Sequence, residues 1–228
     1  MQIAVIGIGR FGMKLATTVA RLGAEVIAVD TREHNVEEVK DRVAQAVIAD
    51  CTDERAMRAI GISDVDVAVV AIGENLEMSV MSTVVLRRLG VSKIVARAVS
   101  QVHEQILKEM GASQIIRIEE QMGEQVAHWL VAPDVLQRIS FPGGYTLVEM
   151  RVPDKFVGKT LMESRVREDY SLTVAAIQKR IPAISEEGKS HYRIKTITPP
   201  NPTDQIGEDD ILVMIGEDEK IDQFLRED

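Results

Sequence analysis

Over the first 118 positions, apolar residues come in short continuous runs separated by stretches of helical period. The runs are residues 2–6, 25–29, 46–49, 65–72, 93–98 and 114–118. Their β-branched residues suit strands buried on both faces of a parallel sheet. Between them Phe11, Leu15, Val19 and Leu22 recur at helical spacing. So do Val36, Val39 and Val43, then Met57 and Ile60, then Met78, Met81, Val85 and Leu89, then Ile106, Leu107 and Met110. Gly23 and Gly61 close two of these helices, and Thr52 or Asp53 and Ser100 are placed to cap others. Strict alternation of strand and helix predicts an α/β domain built on a Rossmann-like, doubly wound parallel sheet. Right-handed crossovers give it the strand order 3-2-1-4-5-6.

The pattern then changes. A helix from about Glu120 carries Met122, Val126, Trp129 and Leu130 and stops at Pro133; with little sheet left to cover, it either reaches onto a partner subunit or packs on its own domain. Phe141-Pro142-Gly143-Gly144 is the clearest break, which puts the domains at 1–138 and 139–228. Beyond it, residues 145–152 alternate as a strand with one solvated face, 160–166 form a short helix, 172–178 a strand and 199–202 a proline-rich loop. Residues 210–215 form a strand, and 217–225 a closing helix with Ile221 and Leu225 inward. This is a small α+β domain.

The chemistry gathers at the first turn. Gly7-Ile8-Gly9-Arg10-Phe11-Gly12 sits between the first strand and the first helix, and Asp30 ends the second strand 18 residues after Gly12. Gly7 permits the turn, Gly9 lets a pyrophosphate approach the backbone, and Gly12 lets helix and strand pack closely. The first amides of the helix point at phosphates, and the acid meets ribose hydroxyls. In an open parallel sheet, ligands bind beyond the carboxyl ends of the strands. That edge collects Arg10, Asp30, Thr31, Arg32, Asp50, Cys51, Thr52, Ile72, Gly73, Glu74, Asn75, Arg97 and Glu119. Arg10 places a permanent cation inside the glycine loop and tilts the expected ligand toward ATP or ADP, with NAD(H) still open. Asp50 and the backbone at Cys51 are read as the adenine contacts.

Composition narrows the setting. A net charge of −9 argues against broad nucleic-acid binding, and no basic recognition helix is visible. Cys51 is the single cysteine, which fits a reducing, cytoplasmic environment. No apolar run reaches the roughly 18 residues of a membrane span, and no basic n-region precedes an apolar core at the N-terminus.

The glycine loop with its arginine, Asp30, Ala49-Asp50-Cys51-Thr52-Asp53, Ala71-Ile72-Gly73 and Ala96-Arg97-Ala98 together resemble the signatures of RCK (KTN) domains. Among these the chain is similar to the cytosolic gating subunits of Ktr and Trk potassium uptake systems. The resemblance spans nearly the whole chain and implies a Rossmann-like domain followed by an RCK C-terminal (TrkA-C) domain. It also implies dimers assembled into an octameric ring, and an integral-membrane potassium-translocating partner that holds the chain at the inner face of the membrane. By the same resemblance Glu119 brings Mg²⁺ or Ca²⁺ to the nucleotide phosphates. In several relatives the C-terminal domain dimerises around cyclic di-AMP. The matching residues here are Leu161, Met162, Val166 and Val174 as walls, Arg167 toward a phosphate, and Thr173 in place of an amide side chain. Arg165 stands where an acid is common. The same apolar residues would equally line a dimer core without ligand.

Two functions follow. One is a non-enzymatic nucleotide sensor. The other is an NAD-dependent oxidoreductase, the usual occupant of the fold. A dehydrogenase needs a second domain that supplies an acid or base. Here that domain holds one histidine, His191, in a charged segment read as a loop; His34, His103 and His128 fall on predicted helices, and Cys51 has no evident base beside it. No Ser-His-Asp or metal-ligand pattern is visible, and the sensor is the favoured reading.

Overall fold

The computed structural model of the chain describes residues 1–184 and 190–227. The side chains of His128, Trp129 and residues 182–191 lie outside the described residues, and with them the side-chain roles read for Trp129, His128 and His191. The chain divides into two compact units, Met1–Gln121 and Met122–Asp228.

The first unit alternates β1 (Gln2–Ile6), α1 (Arg10–Arg21), β2 (Glu25–Asp30), α2 (Glu33–Val39), β3 (Gln45–Ile48), α3 (Glu54–Ala59), β4 (Val67–Val70), α4 (Leu76–Arg88), β5 (Ile94–Arg97), α5 (Gln101–Met110) and β6 (Gln114–Ile116). The sheet is parallel with the expected order β3-β2-β1-β4-β5-β6. Because side chains alternate across a strand, β1 sends Ala4 and Ile6 to one core and Ile3 and Val5 to another. The first core adds Met57, Leu86 and Leu107 from α3, α4 and α5; the second adds Ala16 and Val39 from α1 and α2. Asp53, Asn75 and Ser100 cap their helices with side-chain acceptors.

Several details differ from the periodicity: Leu22 lies just beyond α1 and is exposed, as is Ile106 of α5. Val43 lies beyond α2, after a 3₁₀ turn at Lys40–Arg42. Met81 of α4 is exposed, because the face turned to the sheet is built of the small Ser79, Ser82 and Thr83 with Val85 and Leu86. β6 ends at Ile116, so Ile118 opens α6 (Ile118–Val131) and Glu119 lies in its first turn.

The second unit holds a five-stranded antiparallel sheet, ordered β10-β9-β11-β8-β7. Its strands are β7 (Val135–Phe141), β8 (Tyr145–Arg151), β9 (Thr173–Ile184), β10 (Ser190–Ile197) and β11 (Ile211–Glu217). Val148, Met150, Ile177, Leu212 and Met214 face a core completed by Phe156, by Val166 of α8 (Val166–Tyr170), and by Ile221 and Phe224 of α9 (Asp218–Arg226). Phe141-Pro142-Gly143-Gly144 is the turn of the β7–β8 hairpin, with Phe141 opposite Tyr145. A boundary at 138/139 would cut β7; the compact units divide at Gln121/Met122. The helix expected over 160–166 is two: α7 (Leu161–Ser164), begun by a capping box of Thr160 and Glu163, and α8, separated by Arg165 at φ +51°. The strand expected to end at 178 runs on to Ile184 and pairs with β10, so His191 stands in a strand and not in a loop.

Candidate functional site

The glycine loop is fixed by contacts that only these residue types allow. Gly7 adopts φ +89°, and a Cβ there would sit 2.7 Å from Ile72 Cγ1. A Cβ on Gly12 would collide with the Gly7 carbonyl oxygen, which is why helix and strand approach so closely at this point. Above Gly9 a Cβ would meet nothing within 4 Å, so the backbone there is open. Gly7 donates its amide to Val29 O at 2.8 Å. Ile8 donates its amide to Asp30 Oδ2 at 2.6 Å.

Asp30 is buried and fully engaged. Oδ2 also accepts from Asn35 Nδ2 at 3.0 Å, and Oδ1 accepts from the Arg32 amide at 2.8 Å and from Arg32 Nε at 3.4 Å. Burial pushes its pKa up, but the bonds from the Arg32 amide, Asn35 and Ile8 outweigh that and hold the carboxyl below the usual range. The acid thus ties the loop to the end of β2. A ribose hydroxyl reaching Oδ1 would replace the longest of these bonds, that from the exposed Arg32 guanidinium.

The first turn of α1 has no side-chain cap and no acid. With the Gly7 and Ile8 amides used internally, the first helical amides are the donors left for an anion. Arg10 begins the helix and is exposed, with no ion pair among the described residues; Phe11 beside it packs partly against the α1-side core.

Along the same edge Thr52 donates both its amide, at 2.8 Å, and its hydroxyl, at 2.7 Å, to Asp50 Oδ1. The hydroxyl bond and then the amide bond lower the Asp50 pKa. The Cys51 side chain is buried in the core, and burial raises its thiol pKa; only its backbone is left to face a ligand. Asn75 spends its Oδ1 on capping α4 at Met78 N, 3.0 Å, and Glu74 is exposed beside it. Arg97, at the end of β5, lies against Gly73, where a Cβ would come within 2.7 Å of the guanidinium. It pairs with Glu119, while its Nε is buried without a partner. A bond from its own backbone amide, and to a lesser degree Arg97, hold the Glu119 carboxyl low despite partial desolvation. Among the described residues no three His, Cys, Asp or Glu side chains gather as a metal site.

In the second unit the expected pocket residues separate. Val166 belongs to the core at 2 % exposure, which removes it as a ligand wall. Leu161 and Val174 are partly buried against that core; Met162 is 64 % exposed, and Arg167 and Thr173 are exposed. Arg165 is spent on Asp169 at 3.3 Å.

Sequence reasoning missed Asn35. It lies five residues after Asp30, in the first turn of α2, and braces the Asp30 carboxylate. A polar residue in the first turn after the β2 acid was the available signal for Asn35.

A doubly wound sheet, a glycine loop opening an uncapped helix, and an acid clamped to that loop define a Rossmann-type nucleotide-binding domain. Residues 3–118 match the TrkA-N domain and residues 147–227 the TrkA-C domain. The chain is 34 % identical to the Ktr system potassium uptake protein C of Bacillus subtilis, over 98 % of this chain and 95 % of that protein. It is also 34 % identical to the Ktr system potassium uptake protein A of the same organism, over 99 % of this chain and 96 % of that protein. The chain therefore belongs to the TrkA-N/TrkA-C family of Ktr-type potassium uptake proteins. In fold it is similar to the GsuK channel (TM-score 0.67, 18 % identity), covering 98 % of this chain and spanning 38 % of that one. It is likewise similar to a GsuK channel bound to NAD (TM-score 0.62, 18 % identity, 96 % and 38 %).

Proposed function

We propose that this chain is the regulatory, nucleotide-sensing subunit of a potassium uptake system, taking ATP or ADP at the carboxyl edge of β1 and β4. The carrying observation is the open, uncapped first turn of α1 with the exposed Arg10 beside a glycine loop clamped by Asp30. Whole-length similarity to Ktr proteins supports the potassium reading. Fold neighbours bound to NAD and to ADP support a nucleotide, with NAD(H) the second occupant. On this reading the loop amides bind the phosphates, Asp30 holds the ribose, and Asp50 with the Cys51 backbone receives the adenine. Ile72, Gly73, Glu74 and Asn75 border the site.

ATP and ADP differ only in the terminal phosphate, so a gate responds only if that phosphate binds two subunit arrangements unequally. Arg10 is the group placed to read it. No helix of the described chain is long and apolar enough to cross a membrane, so ion movement belongs to a membrane-embedded partner. We place the chain in self-associated dimers, arranged as a ring at the inner membrane face. Glu119 supplies one carboxylate to a phosphate-bound Mg²⁺ or Ca²⁺, and the second unit's Met162, Arg167 and Thr173 form the exposed surface for cyclic di-AMP.

Calorimetric titration tests the sensor. The native protein is expected to bind ATP and ADP, and Arg10→Ala to weaken ATP more than ADP by on the order of 1.5–3 kcal/mol. Equal losses would put Arg10 on the shared pyrophosphate, and a native protein that binds none of ATP, ADP and NAD(H) would end the sensor reading.

A further inference from the structure

The β9–β10 hairpin outgrows its sheet. β11 pairs with β9 only as far as Gln178, whereas β9 and β10 remain paired from Lys179–Lys195 out to Ile184–Ser190. The last six residue pairs form a two-stranded ribbon reaching roughly 20 Å past the sheet. Its base is anchored where Lys179 Nζ bonds Asp210 Oδ2 at 2.8 Å and the Gln205 carbonyl at 2.7 Å. From that anchor outward every residue from Lys195 to Tyr192 is exposed, so side chains of both pleat directions meet solvent. Tyr192 and Ile194 are each 60 % exposed on one face, with the Arg180 guanidinium 4.3 Å over the Tyr192 ring. Arg193 and Lys195 project from the other face and pair with no acid among the described residues.

A two-stranded ribbon alone in water is marginal, and exposed aromatic and aliphatic groups on it call for a partner. Residues 179–197 hold five cations against two acids, Glu186 and Glu187, in a chain of net charge −9, and with Lys179 spent on Asp210 the hairpin stays cationic. The ribbon's reach exceeds the Debye length of about 8 Å at physiological ionic strength, so its cations act beyond the field of the acidic body. An acidic protein surface would meet one face of such a ribbon and leave the other in water. A lipid headgroup layer surrounds both faces at once. It takes cations to its phosphates and seats a tyrosine ring at the same depth, and it is wet enough to satisfy the open backbone edge of β10.

We propose that the β9–β10 ribbon is a docking arm for an anionic membrane surface, with Arg180, Arg193 and Lys195 meeting lipid phosphates and Tyr192 and Ile194 seated among the headgroups. This contact is made by the chain itself and does not depend on the nucleotide site. It is tested by sedimenting the full-length protein with vesicles of phosphatidylcholine alone, or of phosphatidylcholine with phosphatidylglycerol. Binding is expected only to the anionic vesicles and is expected to fall as salt rises. R193Q/K195Q should weaken it roughly 25-fold, at about fivefold per cation. Tyr192→Ser should weaken it without altering the salt dependence. Unchanged ATP affinity and melting temperature in these exposed-site variants confirm that they are folded. Absence of binding to anionic vesicles, equal binding to neutral ones, or full binding by R193Q/K195Q overturns the proposal. So does a double variant that binds vesicles like the native chain but loses a membrane-protein partner in lipid-free detergent, which would make the arm a contact for an acidic protein.

Discussion

Asp30 holds Ile8: the carboxylate at the end of β2 accepts the amide in the middle of the glycine loop at 2.6 Å, across 22 residues of chain. The bond makes the acid part of the loop's architecture, in addition to any contact it makes with a ligand.

Asp30→Ala should therefore lower stability as well as nucleotide affinity. It leaves the buried Ile8 amide unpaired, a loss of about 1–3 kcal/mol in chemical denaturation. The Asp30 pKa is depressed in the folded state, so its contribution is present above the unfolded value near 3.9 and fades as pH falls through the folded one. The gap between native and variant stability should accordingly be full at pH 7 and shrink below about pH 4. An unchanged melting profile in Asp30→Ala would show that the loop stands without the clamp.

The same carboxylate should repel a 2′-phosphate, with the exposed Arg32 beside it as relief. NAD(H) is expected to bind better than NADP(H), and Arg32→Ala to widen the difference. Calorimetry giving equal affinities in the native protein would refute this.

Gly12→Ala places a methyl group against the Gly7 carbonyl and within 3.3 Å of Ala71 Cβ. Helix α1 must back away from β1, at a cost of about 1–3 kcal/mol, and the amides of its first turn move with it. Nucleotide binding should be lost while circular dichroism still reports the folded sheet. A variant that binds ATP normally would mean that the loop tolerates the shift.

His103 predicts a pH response at milder values. It is 2 % exposed, its Nδ1 receives the Val99 amide at 3.4 Å, and its Nε2 is buried without a partner. Burial lowers its pKa, so the unfolded chain takes up the proton first and stability falls as pH drops below about 6.5. His103→Gln should flatten the stability curve between pH 7.5 and 5.5. A native curve already flat over that range would show that the ring is not held neutral.

The first unit was legible because its strands are buried on both faces and read as apolar runs, and because Gly7, Gly12 and Asp30 serve local geometry at fixed spacing. The second unit was less so, for physical reasons. β10 does alternate Tyr192 and Ile194 against Arg193 and Lys195, but these residues are exposed on both faces, so the alternation marks no buried side, and the charged surroundings of His191 read as a loop. Phe141-Pro142-Gly143-Gly144 has the composition of a linker, yet it makes a hairpin turn because residues on both sides alternate against each other across β7 and β8. Val166 looked available on a short helix, but the break at Arg165 turns it inward. Asp30 was assigned to a ribose from its spacing; its bond to Ile8 depends on a side-chain direction that spacing does not encode.

Cys51 bears on how such motions are followed. The chain's one sulfhydryl is 4 % exposed, packed among core residues, and its ionisation is suppressed by burial. Thiolate is the form that reacts with maleimides, so the native sequence is close to silent toward such reagents while folded. A cysteine introduced at an exposed position such as Met162 or Tyr192 would then carry a fluorophore or spin label alone, with no background mutation to remove. Labelling at Cys51 itself would report global unfolding, giving each labelled sample an internal record of its own integrity.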